Sequence, residues 1–137
     1  MSIQAHADAV LARLRATPDL TVHPEPDSPH QVPPGAIPPY VSVYITTRYD
    51  LGPTLDMRSS RAVTTVTAHC VGGNAIAARA VAQMVSGALL DWVPTIAGRR
   101  CFPVRQDPVD APPRPDESTG ALVMDLVAQY RLETLPG

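Results

Sequence analysis

Apolar residues first recur at three- and four-residue steps, as Ile3, Ala7, Val10, Leu11 and Leu14, with Gln4, Asp8, Arg13 and Arg15 off that stripe. The spacing predicts an amphipathic helix capped by Ser2 and running to about Ala16, with Pro18 as its stop. Leu20 to Val22 is a short apolar piece that suits a strand. From Tyr40 to Thr47 the period changes to two: Val41, Val43 and Ile45 alternate with Ser42, Tyr44 and Thr46, and most of these residues are β-branched or aromatic. Ala62 to Val71, rich in Val and Thr, reads as a second strand, joined to the first by a long polar hairpin from Arg48 to Arg61. Val71-Gly72-Gly73-Asn74 breaks it and offers Asn74 as a helix cap. Helical spacing then returns in Ala77, Ala80, Val81, Met84, Val85, Ala88, Leu89 and Trp92, ending before Pro94. Gly98 to Val104 suits a further strand. Leu122 to Glu133 alternates throughout, with Leu122, Met124, Leu126, Ala128, Tyr130 and Leu132 on one face.

Two segments have neither period. Residues 24–39 hold seven prolines in sixteen positions, and residues 107–118 hold Pro108, Pro112, Pro113 and Pro115. That density removes amide donors and fixes φ, so both are expected as loops. The closing strand is too polar on one side for a parallel sheet buried on both faces. The expected fold is therefore α+β: a mainly antiparallel sheet of four to five strands packed against two helices, in the order α-β-β-α-β-β. Its length suits one domain, residues 1–137.

Composition narrows the chemistry. The net charge of −2 does not steer the chain toward nucleic acid or an anionic membrane. No apolar run approaches a membrane span, and the polar residues of positions 1–14 do not suit a signal peptide, so folding in a cytosol is expected. All eleven cationic residues are Arg. The absence of Lys excludes a Schiff base, a phosphate-loop lysine and a Ser-Lys pair. Cys70 and Cys101 are expected as buried free thiols.

Among His6, His23, His30 and His69, only His69 has a neighbouring Cys. Adjacent residues on a strand point to opposite faces, so His69 and Cys70 do not suit one metal. Ser59-Ser60 lacks a nucleophile elbow. Gly72-Gly73 at a helix start suits either an anion or plain turn geometry. Asp107, Asp110, Asp116 and Glu117 are separated by prolines and read as solvated charge. No catalytic residue, metal or cofactor is expected. Arg48, Arg58 and Arg61 around the hairpin are either solvated loop charges or a basic finger that meets another subunit. Tyr40 and Tyr44, opposite Val41 and Val43, are candidates for the same interface; Trp92 and Tyr130 suit the core.

Taken together, the chain resembles the tail terminator, or tail completion, proteins of long-tailed bacteriophages. The resemblance is carried by the first helix ending in Leu14 to Leu20, the proline-studded lead into Pro39-Tyr40-Val41-Ser42-Val43, and the strand ending His69-Cys70-Val71-Gly72. The Ala-rich helix from Asn74 to Trp92, the Gly98-Arg99-Arg100 strand and the long closing strand to Arg131 complete it. The 24–39 segment is longer than that family usually carries. The resemblance implies a structural virion protein, a homohexameric ring on the last ring of major tail-tube subunits. It would end tube growth, face a head-tail connector or head-completion protein, and let DNA through its lumen without specific binding. The alternative readings are another head-tail neck or head-completion protein and, after that, a small cytosolic enzyme or ligand-binding domain. The proline-rich arms and the Arg48 to Arg61 hairpin are then the expected contacts.

Overall fold

A computed structural model describes residues 3–51, 59–109, 111–118 and 120–137, with residues 50, 51, 59 and 60 described by their backbone alone. Ser2, the hairpin turn with Arg58, the side chains of Ser59-Ser60, and Asp110 lie outside the described residues. The elements are α1 (Ile3–Arg15), β1 (Val22–His23), β2 (Tyr40–Leu51), β3 (Ser59–Gly72), α2 (Ala75–Leu89), β4 (Arg99–Cys101), β5 (Arg105–Asp107), β6 (Arg114–Asp116) and β7 (Val123–Pro136). Neither helix is long and apolar enough to cross a membrane.

The class is α+β, but the expected sheet of four to five strands in the order α-β-β-α-β-β is wrong. Among the described residues the sheet has seven strands and is mixed, running β1-β2-β3-β7-β4 with β5 and β6 also paired to β7. β1 is parallel to β2, through Val22 with Val41 and His23 with Ser42, and the other pairings are antiparallel. The extra strands are two or three residues long, too short to show a period. β6 arises within the second proline-rich segment, at Arg114-Pro115-Asp116. Such a strand is tolerated because it lies at the sheet edge, where one amide side needs no ladder partner.

The two long hairpin strands and β7 carry the core. Val41, Val43, Val66, Ala68, Cys70, Ala128, Tyr130 and Leu132 face the helices, and Val10, Leu14, Val81, Val85 and Leu89 pack onto them. The α1 stripe is turned from the expected one: the buried residues are His6, Val10 and Leu14, while Ile3 is exposed. His6 is accommodated because its Nε2 lies 3.0 Å from the hydroxyl of buried Thr134, which also accepts from Arg99 Nε.

Asn74 caps α2, its Oδ1 accepting from the Ala77 N–H at 2.8 Å. α2 stops at Leu89 and does not reach Trp92. Asp91 turns to φ 64°, and its N–H leaves the helix for the carbonyl of Val104, whose own N–H goes to Trp92. That exchange, with Pro103 beside it, also limits the expected strand of Gly98 to Val104 to Arg99–Cys101. Gly72 is required where β3 turns into α2, since a Cβ there would stand 2.4 Å from the Ala78 nitrogen.

Candidate functional site

Alternation along the three central strands sorts the sheet into two faces. Opposite the helices lie Tyr40, Ser42, Tyr44, Thr46 and Arg48 of β2. Register sets Tyr40 beside Val71 and Asp125, Ser42 beside His69 and Val127, and Arg48 beside Val63 and Glu133. This outer face is where the polar side chains gather.

Near its β2 start the face is roofed. Val32 and Ala36 of the first proline-rich segment pack on Tyr40, Val71 and Val123. Gln31 fastens that segment, donating from Nε2 to the Val43 carbonyl at 2.8 Å and to the Ser42 hydroxyl at 3.2 Å. From the other side β6 lays Asp116 beside Val123. Between the two roofs is a cleft of about 400 Å³, lined among others by Tyr44, His69, Asp116, Ser118 and Asp125.

His69 and Asp125 form its polar centre. Nδ1 of His69 meets Oδ2 of Asp125 at 2.9 Å, and the ring stands edge-on to Tyr44 with centroids 5.5 Å apart. The hydrogen bond to Asp125 raises the His69 pKa above its ordinary value; partial burial opposes this, and the charges of Asp125 and Asp116 add to it. The Asp116 carboxyl is held below its usual range chiefly by the Ser118 N–H, which donates to Oδ1 at 2.8 Å. A second cleft, of about 350 Å³, lies on the other side of the pair under Val109, Ala111 and Pro112. The pair thus links β3 to β7 across the outer face, between the two clefts bordered by the second proline-rich segment.

Cys70 faces the core, away from His69, and burial pushes its thiol up to about 12. It is therefore protonated at neutral pH and a poor nucleophile or ligand. Cys101 is half-buried, and both cysteines are free. Among the described residues no group of three His, Cys, Asp or Glu is placed to hold a metal ion.

The interface candidates separate. Arg48 and Arg61 are exposed diagonal neighbours on the outer face at the hairpin end, and Arg61 lies 3.5 Å from Glu133. Tyr44 is half-exposed at the mouth of the larger cleft, whereas Tyr40 is 2% exposed beneath Val32 and Ala36. Burial removes Tyr40 from the surface of the monomer. Arg58 lies outside the described residues. The His69–Asp125 pair was missed by sequence reasoning. Alternation within one strand does not say which residues of another strand lie beside it, and only the β3–β7 register brings the two together.

No protein-family model matches the sequence, and no match was found among curated proteins. Among solved structures, the chain is similar to one in the virion of a native gene transfer agent particle. The two are 22% identical, the match covers 92% of each chain, and the TM-score is 0.58. At that identity the likeness establishes a shared fold along nearly the whole length of both chains.

Proposed function

We propose that this chain is a non-enzymatic structural subunit of a phage-like particle, and within it a tail terminator. The observation that carries the reading is the likeness to a virion chain over 92% of both chains. The arrangement suits a part that works by contact. The proline-rich segments are folded back on the sheet, so each subunit presents a fixed surface, and fixed docked loops lose less entropy on assembly.

In this reading six copies close head to tail into a ring on the last ring of tail-tube subunits. The ring ends tube growth and offers its other face to a head-tail connector or head-completion protein, at the head-proximal end of the tail. DNA passes through the lumen without sequence-specific contact, which accords with a net charge of −2. Arg48 and Arg61 lie on a subunit contact.

Electron microscopy of the purified protein, alone and mixed with tail-tube protein, tests this. Six-subunit rings and tubes closed at one end are expected. Tubes that keep growing in its presence, with no ring seen in either preparation, would rule the terminator role out.

A further inference from the structure

We propose that the open edge of β2 is a self-association surface, where the same strand of a second copy of this chain adds in antiparallel register. The inference stands on the edge and the groove beside it, and does not rest on the ring reading above.

Among the described residues the far side of β7 is occupied by short strands. β6, β5 and β4 share the far side of β7 between them, and Pro108, Pro112, Pro113 and Pro115 interrupt that margin. On the β2 side, β1 covers Val41 and Ser42, and Gln31 takes the Val43 carbonyl. Beyond Val43, none of the described strands pairs with this edge. The Val41 N–H points outward to the Thr21 carbonyl, and the Val43 carbonyl points outward to Gln31. Alternation therefore turns the N–H and C=O of Ile45, Thr47 and Tyr49 to the same open side. The segment Tyr44-Ile45-Thr46-Thr47-Arg48-Tyr49 has neither Lys nor Pro. It thus lacks a proline block, and Arg48 is its one charged residue.

What identifies the occupant is self-complementarity. A groove of about 310 Å³ runs beside the edge, between Ala7 and Leu11 of α1 and Val43 and Ile45 of β2. Antiparallel pairing centred on Thr47 sets Ile45 opposite the partner's Tyr49, and Tyr49 opposite the partner's Ile45. By alternation Tyr49 lies on the helix side, so its ring is brought toward the partner's groove. Each copy carries both ring and groove, as an isologous contact requires. Outward hydrogen-bonding residues meet as pairs that exchange both N–H and C=O. On the outer face Arg48 meets the partner's Thr46, so like charges are not directly opposed.

Light scattering on the full chain from micromolar to near-millimolar concentration, with amide hydrogen exchange, tests the proposal. A dimer is expected at the upper end, with the Ile45, Thr47 and Tyr49 amides slowing as it fills. Thr47→Pro deletes the central outward amide. Thr47→Val keeps that amide while losing the same 2.9 Å hydroxyl contact to Thr64. Thr47→Val should associate as the wild type does, and Thr47→Pro about thirtyfold more weakly, the loss of two bonds at roughly 1 kcal/mol each. A protein that stays monomeric throughout, or whose three amides exchange freely once associated, overturns the proposal. So does undiminished association of folded Thr47→Pro. If that variant fails to fold, amide exchange in the wild type decides alone. Rings with these three amides unprotected would overturn this inference and leave the terminator reading standing.

Discussion

The two faces of one sheet are built by different physics. Among the described residues the helix side is made mostly of small aliphatic residues around the fully buried Tyr130, whose phenol pKa is raised by that burial. The outer side is roofed by proline-rich chain held by a few specific contacts: Gln31 on the Val43 carbonyl, Val32 and Ala36 on Tyr40, and β6 on β7. Burial of apolar area is non-directional and scales with what is covered. Proline, by contrast, reduces the entropy the roof loses on becoming ordered, so modest contacts suffice to hold it. The helix side should therefore set global stability, and the outer side should set the shape offered to partners.

The sharpest way to break this contrast is at two tyrosines. Tyr130→Ala opens a cavity under α2 and should cost about 3–5 kcal/mol in chemical denaturation, as truncation of large buried aromatics does. Tyr44→Ala, at a half-exposed position on the other face, should change stability by roughly 0.5 kcal/mol or less. Comparable losses at both positions would mean that the outer face carries stability too.

The same contrast explains what was legible in the chain. Val41 to Ile45, Val66 to Cys70 and Ala128 to Leu132 face one continuous apolar layer, and their alternation announced β2, β3 and β7. β5 and β6 exist because a long neighbour offers them a ladder, and that information lies in the neighbour, whereas β1 forms at the end of the short apolar piece Leu20 to Val22. The proline-rich segments read as loops, but which face they cover depends on side-chain contacts such as Val32 and Ala36 on Tyr40. The α1 stripe was misread at His6. A polar residue joins a buried face when a distant partner, here Thr134, waits for it. Tyr40 and Tyr44 looked equivalent by alternation, and four residues along the strand divide a roofed position from an open one.

The outer face should respond to pH where the core does not. His69 titrates higher in the folded protein than its unfolded value of about 6.5. A raised folded pKa means that its contribution is fully present below about 6.5 and is lost as pH rises through the folded value. Asp116, with its lowered carboxyl, contributes the opposite slope, present above the ordinary carboxylate range near 4 and lost as pH falls below it. Urea titrations of wild type and Asp125→Asn at a series of pH values should diverge most below pH about 6.5 and converge above the folded pKa. The His69 and Asp125 side chains are 33% and 17% exposed, so the difference should not exceed about 1 kcal/mol. A gap that is constant with pH would show that Asp125 acts there only as a neutral hydrogen-bond partner.

The smallest expected effect on folding falls at the residues expected to matter most for assembly. Arg61 and Glu133, at 3.5 Å, are 47% and 35% exposed, and such ion pairs contribute about 0–1 kcal/mol. Reversing Arg48 and Arg61 together to Glu sets two like charges around Glu133. Because all three reach solvent, the monomer should melt within a few degrees of wild type, a shift of about 1 kcal/mol or less in a chain of this size. If this end of the outer face meets another subunit, complementary charge there is lost, and assembly should weaken steeply with the gap widening at low salt, where charge is least screened. A fold-preserving double reversal that assembles as wild type does, at low and high salt alike, would move the contact away from Arg48 and Arg61. The open edge of β2 and the rims of the two clefts would then be the surfaces left to carry it.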